Sequence, residues 1–380
     1  MTNQARLLWR MAVVTVLTIT LAACAGRPTP SPSVPMPDRL QQLTDSWRDR
    51  AGVAAVAIAV DPAGPARWEL ASGVADESAT APAQDNRFRI GSITKTFVAA
   101  VVMQLVEEGQ VELDTPVRVY SPHAPVPESV TVRHLLAHTS GIPDYARSEG
   151  FTDGLMADRQ RRWATEELLG LVDGRGVAFA PGTGYSYSNT GYVLLGQVIE
   201  SVTGRSWAQQ VRHRILDPFG MDDTYVAGHE PVPGGVIAAY GDADNDGEEE
   251  AIEDGRAWPS LETAEGPAGA IVSTAADVAR FADALFRGRL VRDSTLRAMV
   301  AEHLHHPRNS NYGLGIEITR PDYQTTIWGH GGFIPGWRSV MWYVPDRDLT
   351  IVVLINASLA SPPDLAELAM RAVDTEKVTS

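Results

Sequence analysis

Strand-like segments near both ends of the chain, separated by a helix-rich stretch, constrain the fold more than any other feature. Near the start, residues 53–60 are rich in Val, Ala and Ile, and residues 67–75 follow after a Pro and a Gly as the second strand of a predicted pair. Near the end, similar segments follow one another between Gly, Pro and Asp turns, at residues 312–318, 325–329, 337–344 and 349–355. In between, residues 92–275 carry mostly helical periodicity. This order predicts one sheet built from both chain ends, with a helical region inserted.

The size and charge of the chain narrow the class of protein. With 380 residues, of which 44% are hydrophobic, the chain can bury one large core or two closely packed layers. Acidic residues outnumber Lys and Arg by 47 to 32, which gives a formal net charge of −15. Nucleic acid and other anionic surfaces repel such a chain, so we predict that neither is a partner.

Residues 1–23 have the layout of a secretory signal peptide. Arg6 and Arg10 precede an apolar run over residues 11–23, which is short for a membrane span of about 20 residues. The run ends in Leu21-Ala-Ala-Cys24, which resembles a bacterial lipobox, with cleavage before Cys24 and a lipid on its sulfur. We therefore predict a lipoprotein that a lipid anchors to the membrane on the extracytoplasmic side, in preference to a freely secreted protein.

After the signal, the sequence divides into a tether, one large domain and a short tail. Residues 24–37 are rich in Pro and Ser and predict an extended tether. Residues 38–373 make up the predicted domain, and residues 374–380 a polar tail. Because Cys24 is the only cysteine, the chain has no internal disulfide. No feature of the sequence specifies an oligomeric state.

Lysine is nearly absent, and the position of one lysine indicates nucleophilic catalysis. Only Lys95 and Lys377 are lysines, and Lys95 follows Ser92 by three residues at the start of a predicted helix. Residues three apart share a helix face, so the amine can reach the hydroxyl. A buried lysine can lose its proton and act as a base, which arginine cannot do. We predict that Ser92 is the nucleophile and that Lys95 takes part in its activation, while the sequence leaves open whether Lys95 or Tyr187 is the general base.

A second motif, Tyr187-Ser-Asn189, lies in a stretch rich in Gly, Ser and Tyr. A tyrosine phenol beside an ammonium group can have a lowered pKa and carry a proton to a leaving group. The amide of Asn189 can orient Lys95 and a substrate carbonyl. Taken alone, this tripeptide indicates no more than a turn.

A third motif, His330-Gly-Gly332, follows an apolar segment near the end of the chain. Glycines allow a substrate backbone to approach a strand edge, so His330, Gly331 and Gly332 are candidate substrate-binding residues. The backbone N–H groups of Phe333 and Ser92 can together form an oxyanion hole.

These motifs resemble, in order and spacing, those of the penicillin-recognising serine hydrolases: Ser92-x-x-Lys95, Tyr187-x-Asn189 and His330-x-Gly332. The branch they resemble contains the class C β-lactamases and the secreted serine D,D-carboxypeptidases, and the resemblance covers roughly residues 38–373. It implies an α+β fold in which helices flank an antiparallel sheet, with a helical region inserted and the site between them. It also implies acyl-enzyme chemistry at Ser92 that requires no metal and no cofactor.

The third motif departs from class C β-lactamases, which usually carry Lys-Thr-Gly there. A histidine is less reliably charged at neutral pH than lysine, so His330 should hold a substrate carboxylate less firmly. The histidine form resembles D,D-carboxypeptidases, D-amino-acid peptidases and some esterases of the branch. We therefore predict a D-alanyl-D-alanine carboxypeptidase-like cell-wall enzyme, with a small ester or a β-lactam as the alternative substrate.

Two hypotheses come from other functional classes. One is a non-catalytic sensor that binds cell-wall fragments or is acylated by them. Turnover distinguishes a sensor from an enzyme, because an enzyme releases product many times and a sensor at most once. A membrane-tethered calcium-binding module is the other hypothesis, and the three motifs argue against it.

An acidic segment matches the ligand spacing of a calcium loop: Asp242, Asp244, Asp246, Glu248 and Glu253. Such loops place oxygen ligands at alternating positions. Glu249 stands where an apolar residue is usual, and Gly and Pro on both sides leave no flanking helices. We therefore prefer a solvated acidic loop over a calcium site.

The segment His138-Thr-Ser-Gly141 offers a second serine, Ser140. The chain contains no Gly-x-Ser-x-Gly nucleophile elbow. We interpret the segment as a turn that ends a helix.

Overall fold

Strands from both ends of the chain form one eight-stranded antiparallel sheet in the computed structural model of the protein. The structure describes residues 34–62, 66–75, 85–241, 250–253, 257–301, 304–306, 310–321 and 325–377. Its strands are β1 (Ala55–Asp61), β2 (Trp68–Gly73), β3 (Phe88–Arg89), β4 (Tyr225–Val226), β5 (Ala239–Gly241), β6 (Glu250–Glu253), β7 (Ile271–Ser273), β8 (Leu304–His306), β9 (Ser310–Tyr312), β10 (Glu317–Thr319), β11 (Ile327–Ile334), β12 (Trp337–Val344) and β13 (Leu349–Ile355). The order in the large sheet is β2-β1-β13-β12-β11-β10-β9-β8, so β1 pairs directly with β13.

Helices cover the sheet and make up most of the region between its two halves. They are α1 (Met36–Ala51), α2 (Thr94–Glu107), α3 (Val117–Tyr120), α4 (Val132–Leu136), α5 (Phe151–Ala157), α6 (Thr165–Gly170), α7 (Asn189–Thr203), α8 (Trp207–Val211), α9 (Pro259–Gly269), α10 (Ala275–Phe286), α11 (Asp293–Met299) and α12 (Pro362–Lys377). Of the short strands, β3, β7 and β4 form one small sheet and β5 and β6 form another. The predicted α+β fold, with an antiparallel sheet, flanking helices and an inserted helical region, is confirmed.

The alternation of side chains along β1 explains how both faces of the sheet are covered. Its branched side chains pack with α1 and α12 in one apolar cluster, and its alanines face the larger cluster that contains α10. Because alanine is small, α10 can approach the sheet closely. The two sets are Val56, Ile58 and Val60, and Ala55, Ala57 and Ala59.

Two of the predicted strands differ from the structure near the third motif. The single strand predicted over residues 312–318 is wrong, because the chain turns back at Gly315 (φ +78°) and separates β9 from β10. The segment predicted over residues 325–329 continues as β11, so the third motif lies inside a strand. Its glycines keep their pairing with β12, which allows the strand to run on through them.

Several predictions concern segments outside the described residues. The signal at residues 1–23, Cys24 with its lipid and most of the tether lie there, and all stay predictions. The same holds for the first four acidic residues of the predicted calcium loop. No helix in the described part of the chain is both long and apolar enough to cross a membrane.

Candidate active site

The candidate nucleophile Ser92 lies on a tight turn between a strand and a long buried helix. Gly91–Ile93 forms one turn of 3-10 helix between β3 and α2. Gly91 has a φ of +53°, and a Cβ there would lie 2.8 Å from the backbone nitrogen of Phe333. Glycine tolerates both this backbone conformation and this close approach, so the turn lies directly against β11.

Lys95 lies close enough to Ser92 for proton transfer. Its Nζ is 2.9 Å from Ser92 Oγ and also donates a hydrogen bond of 2.7 Å to the carbonyl oxygen of Ala268. That carbonyl belongs to α9, whose helical course breaks at Gly266 (φ +40°, ψ −130°). The structure thus brings the predicted serine and lysine together, and a carbonyl from a distant part of the chain holds the amine.

The surroundings of Lys95 favour loss of its proton near neutral pH. Its side chain is fully buried, and this burial lowers the pKa of Lys95 from 10.5 to about 8. The carboxylates of Glu265, Asp144 and Glu317 act in the opposite direction and raise this pKa. Because desolvation outweighs their charges, part of the amine is neutral at physiological pH and can act as a base.

Tyr187 contacts both members of this pair. Its phenol forms a hydrogen bond with the Ser92 side chain, and Lys95 Nζ lies 4.9 Å from the centre of its ring. The sequence-based expectation of a lowered phenol pKa is wrong, because burial raises the pKa of Tyr187 well above its ordinary value of 10. A phenol that keeps its proton can donate it to a leaving group. Of Lys95 and Tyr187, Lys95 is the better base.

Asn189 is held by an acidic residue that the sequence motifs do not mark. Its side-chain amide donates to Asp144 Oδ2 over 3.3 Å, and its backbone N–H donates to Asp144 Oδ1 over 3.2 Å. Asn189 is the first residue of α7, so Asp144 accepts hydrogen bonds from the start of that helix. The carboxylate therefore fixes the position of the second motif beside the first.

His330 is buried and uncharged. Its Nε2 lies 2.9 Å from the Tyr312 hydroxyl and its Nδ1 lies 2.6 Å from the Gly331 carbonyl oxygen. A carbonyl can only accept, so Nδ1 carries the hydrogen and Nε2 accepts from Tyr312. Burial lowers the pKa of His330, which keeps the ring neutral. Both ring nitrogens therefore bind protein groups, and the imidazole offers no positive charge to a substrate.

The two glycines of the third motif have different surroundings. A Cβ on Gly332 would lie 2.1 Å from the Ile90 carbonyl oxygen and 2.2 Å from Ser339 Oγ, whereas one on Gly331 would meet nothing closer than 3.9 Å. Ser339, opposite Gly332 on β12, donates to the same Ile90 carbonyl over 2.8 Å. Gly332 therefore allows the sheet to contact the residues that precede Ser92.

Phe333 follows on the same strand, with a side chain that is 55% exposed. The guanidinium carbon of Arg338 lies 5.1 Å from the centre of its ring. The oxyanion hole formed by the N–H groups of Ser92 and Phe333 stays a prediction, which the closeness of β11 to the Gly91 turn supports.

His138 links the first two motifs, although its sequence context suggests only a turn. Its ring centroid lies 4.1 Å from that of Tyr187, and its Nδ1 accepts a hydrogen bond of 3.2 Å from the Ser188 N–H. Burial lowers the pKa of His138 well below 6.5, so the ring is neutral. The neighbouring Ser140 is buried, and its hydroxyl accepts from the Ile142 N–H over 3.4 Å. We conclude that His138 helps to position Tyr187.

The carboxylates around Lys95 are the functional groups that the sequence motifs miss. Asp144 precedes a short turn, Glu265 belongs to α9 and Glu317 to β10, and all three raise the pKa of Lys95. Burial raises the pKa of Glu265 to about 7. No local pattern marks any of them, because each reaches Lys95 only through the fold.

We expect Glu265→Gln to shift the pH dependence of catalysis to lower pH. Among the carboxylates that raise the pKa of Lys95, Glu265 has the largest effect. Without its negative charge, burial should lower the pKa of Lys95 further. The acidic limb of the profile of kcat/KM against pH should move down by about 0.5 to 1 pH unit, since one unit is the usual size of such a perturbation. Lys95 and Glu265 titrate together, so the limb reports the pair. The measurement is kcat/KM from pH 5 to 10, with the exposed Glu367→Gln on α12 as control; an upward shift would contradict the expectation.

In the part of the chain that the structure describes, no group of three or more His, Cys, Asp and Glu side chains is placed to hold a metal ion. The groups around Ser92 instead comprise a nucleophile, a base, a proton-carrying phenol and candidate oxyanion donors. This set can form an acyl-enzyme and then hydrolyse it.

Comparisons with known proteins identify similar sequences and folds. The sequence profile described as Beta-lactamase matches residues 40–374. Penicillin-binding protein 4 of Amycolatopsis lactamdurans is 32% identical over 314 residues, covering 80% of this chain and 77% of that protein. A D-stereospecific amidohydrolase from Streptomyces sp. is 31% identical, with a TM-score of 0.78 over 88% of this chain and 98% of the other. The D-amino acid amidase of Ochrobactrum anthropi SV3 is 30% identical, with a TM-score of 0.79 over 90% and 99%.

Proposed function

The chain belongs to the beta-lactamase family and is a serine hydrolase, and on that basis we propose that it cleaves amide or peptide bonds beside a D-amino acid through an acyl-enzyme on Ser92. The observation that carries this proposal is the pair of Ser92 Oγ and Lys95 Nζ, which are 2.9 Å apart. The amine is fully buried and has a pKa of about 8. A neutral amine at hydrogen-bonding distance is what a serine nucleophile needs.

In the acylation step, neutral Lys95 takes the proton from Ser92 Oγ as that oxygen attacks the substrate carbonyl. The N–H groups of Ser92 and Phe333 stabilise the negative charge that develops on the carbonyl oxygen. Tyr187 then gives its proton to the leaving nitrogen and recovers one from Lys95. The Nζ of Lys95 lies 4.9 Å from the centre of the Tyr187 ring. The carbon–nitrogen bond breaks and the acyl group stays on Ser92.

Hydrolysis of the acyl-enzyme uses the same groups in reverse. A water molecule takes the place of the leaving group, and Lys95 with Tyr187 accepts its proton as it attacks the ester carbonyl. The ester bond breaks, Ser92 regains its proton and the acid product leaves. Asp144 supports both steps by holding Asn189 in position.

Cell-wall peptides that end in D-alanyl-D-alanine are the first candidate substrate, as the sequence predicts. The similarity to penicillin-binding protein 4 supports this carboxypeptidase-like role. Such a substrate carries a free carboxylate next to the bond that is cleaved. A site that binds it would gain from a positive charge at the third motif.

Amides and amino-terminal peptides of D-amino acids are the second candidate, and one observation favours them. His330, the basic residue of the third motif, is buried with a lowered pKa, and both its nitrogens bind protein groups. A terminal carboxylate would therefore find no cation in that side chain. The likeness to the amidohydrolase and the amidase supports the same candidate, and small esters stay a further alternative.

The proposal predicts a covalent adduct on Ser92. Purified protein mixed with a β-lactam, or with an ester of a D-amino acid in a single turnover, should gain the mass of one acyl group. Ser92→Ala should gain none, because the attacking oxygen is absent. Intact-mass spectrometry over time makes the measurement, and Ser140→Ala, which removes a nearby buried serine, should behave as wild type in its acylation. The proposal would be contradicted if neither reagent gave an adduct, or if Ser92→Ala still gained the mass of the acyl group.

A further inference from the structure

The carboxylate of Glu317 borders the third motif, in which His330 stands where class C β-lactamases have a lysine. Glu317 lies on β10 opposite Gly329 of β11. Its Oε2 accepts a hydrogen bond of 3.2 Å from the backbone N–H of Gly331. The hydrogen bond fixes the carboxylate beside the middle glycine of the motif.

The basic side chain next to this carboxylate does not neutralise it. His330 Nδ1 lies 3.9 Å from Glu317 Oε1, but that nitrogen carries a hydrogen that it donates to the Gly331 carbonyl. Burial lowers the pKa of His330 even though Glu317 raises it, so the imidazole stays uncharged. The imidazole therefore supplies no positive charge to the Glu317 carboxylate, which lies within hydrogen-bonding range of the motif.

The carboxylate is open to a ligand and its field reaches the reacting groups. The side chain of Glu317 is 36% exposed. Its charge raises the pKa of Lys95 and of the phenols of Tyr187, Tyr185 and Tyr312, although burial is the main effect on each of these groups.

We propose that Glu317 binds the free α-ammonium group of a substrate whose acyl part is a D-amino acid. This inference rests on the proposed acyl-enzyme function and specifies its substrate class as amino-terminal D-aminoacyl amides and peptides. An ammonium group can donate to a carboxylate in a charge-assisted hydrogen bond, whereas a terminal carboxylate would be repelled. Because Glu317 is partly exposed, solvent weakens the ion pair, and the effect is selectivity between substrates more than great affinity.

The test compares D-alanine p-nitroanilide, which has a free amine, with N-acetyl-D-alanine p-nitroanilide, in which an acetyl group replaces the positive charge. The variant is Glu317→Gln, which keeps an oxygen to accept from the Gly331 N–H and removes the charge. We expect KM for the free amine to rise about three- to fivefold, with KM for the acetylated substrate unchanged within about 1.5-fold, since an ion pair at a partly exposed site is worth less than a factor of ten. Glu367→Gln, a surface glutamate whose side chain is 43% exposed, is the matched control and should change neither value.

The possible failures have different meanings. If the wild-type protein cleaves neither substrate and forms no adduct on Ser92, the proposed function falls and this inference falls with it. If it forms the adduct but prefers the acetylated substrate, only the assignment of Glu317 is overturned. Equal losses on both substrates in Glu317→Gln would also overturn it, because they would indicate support of the Gly331 backbone and no recognition of charge.

Discussion

Replacing Lys95 with arginine is expected to reduce kcat/KM by about 10³-fold, the largest effect of any single charge-conserving change in the site. Arginine keeps the positive charge but cannot lose its proton, so it cannot accept the one from Ser92. A positioned general base contributes roughly 10² to 10⁴ in rate, and the fully buried amine also leaves little room for a guanidinium. Steady-state kinetics on the substrate cleaved best by the wild type make the measurement.

The dependence on pH provides an independent readout of the same residue. Because the active form of Lys95 is the neutral one, wild-type kcat/KM should rise with pH and level off above the pKa of about 8. That limb should be missing from the residual activity of Lys95→Arg. Lys377→Arg, the same change at the other lysine, should alter neither rate nor profile. Retention of more than a tenth of wild-type activity in Lys95→Arg would show that another group is the base.

Replacing Gly332 with alanine is expected to lower both activity and stability. The new Cβ would lie 2.1 Å from the Ile90 carbonyl oxygen and 2.2 Å from Ser339 Oγ, so β11 must move away from the turn that carries Ser92. Overpacking of this kind costs about 1 to 3 kcal/mol of unfolding free energy. A displacement of about 1 Å between reacting groups can reduce catalysis by about 10²-fold. Denaturant unfolding and steady-state kinetics measure the two effects.

The adjacent glycine provides a matched control for that change. A Cβ on Gly331 would meet Glu317 Oε2 at 3.9 Å and nothing closer, which is ordinary contact. Gly331→Ala should therefore keep the unfolding free energy within about 0.5 kcal/mol of the wild type, as for most substitutions that avoid a clash. If both variants lose the same stability, the loss comes from replacing glycine within a strand and not from contact with the nucleophile turn.

The active-site pair could be predicted from the sequence because it is local. Ser92 and Lys95 are three residues apart on a helical turn, so their closeness depends on helix geometry and little else. The order of strand and helix patterns likewise predicted a sheet built from both chain ends, which β1 and β13 form. The break between β9 and β10 was missed, since it depends on the backbone conformation of Gly315, which no hydrophobic pattern reveals.

The properties of these residues could not be predicted from local sequence, because they are sums over groups far apart in the chain. The pKa of Lys95 depends on burial first and then on carboxylates from three separate segments. Tyr187 and His330 are neutral for the same reason, since packing removes the water that would stabilise their charged forms.

Sequence alone therefore determined which residue types this protein brings to its chemistry and the order of its secondary structure. The tertiary structure decided which of them carry charge. It buried Lys95 and His330 and placed the Glu317 carboxylate, partly exposed, beside the third motif, because burial and Coulomb interactions depend on distances that only the packed chain establishes.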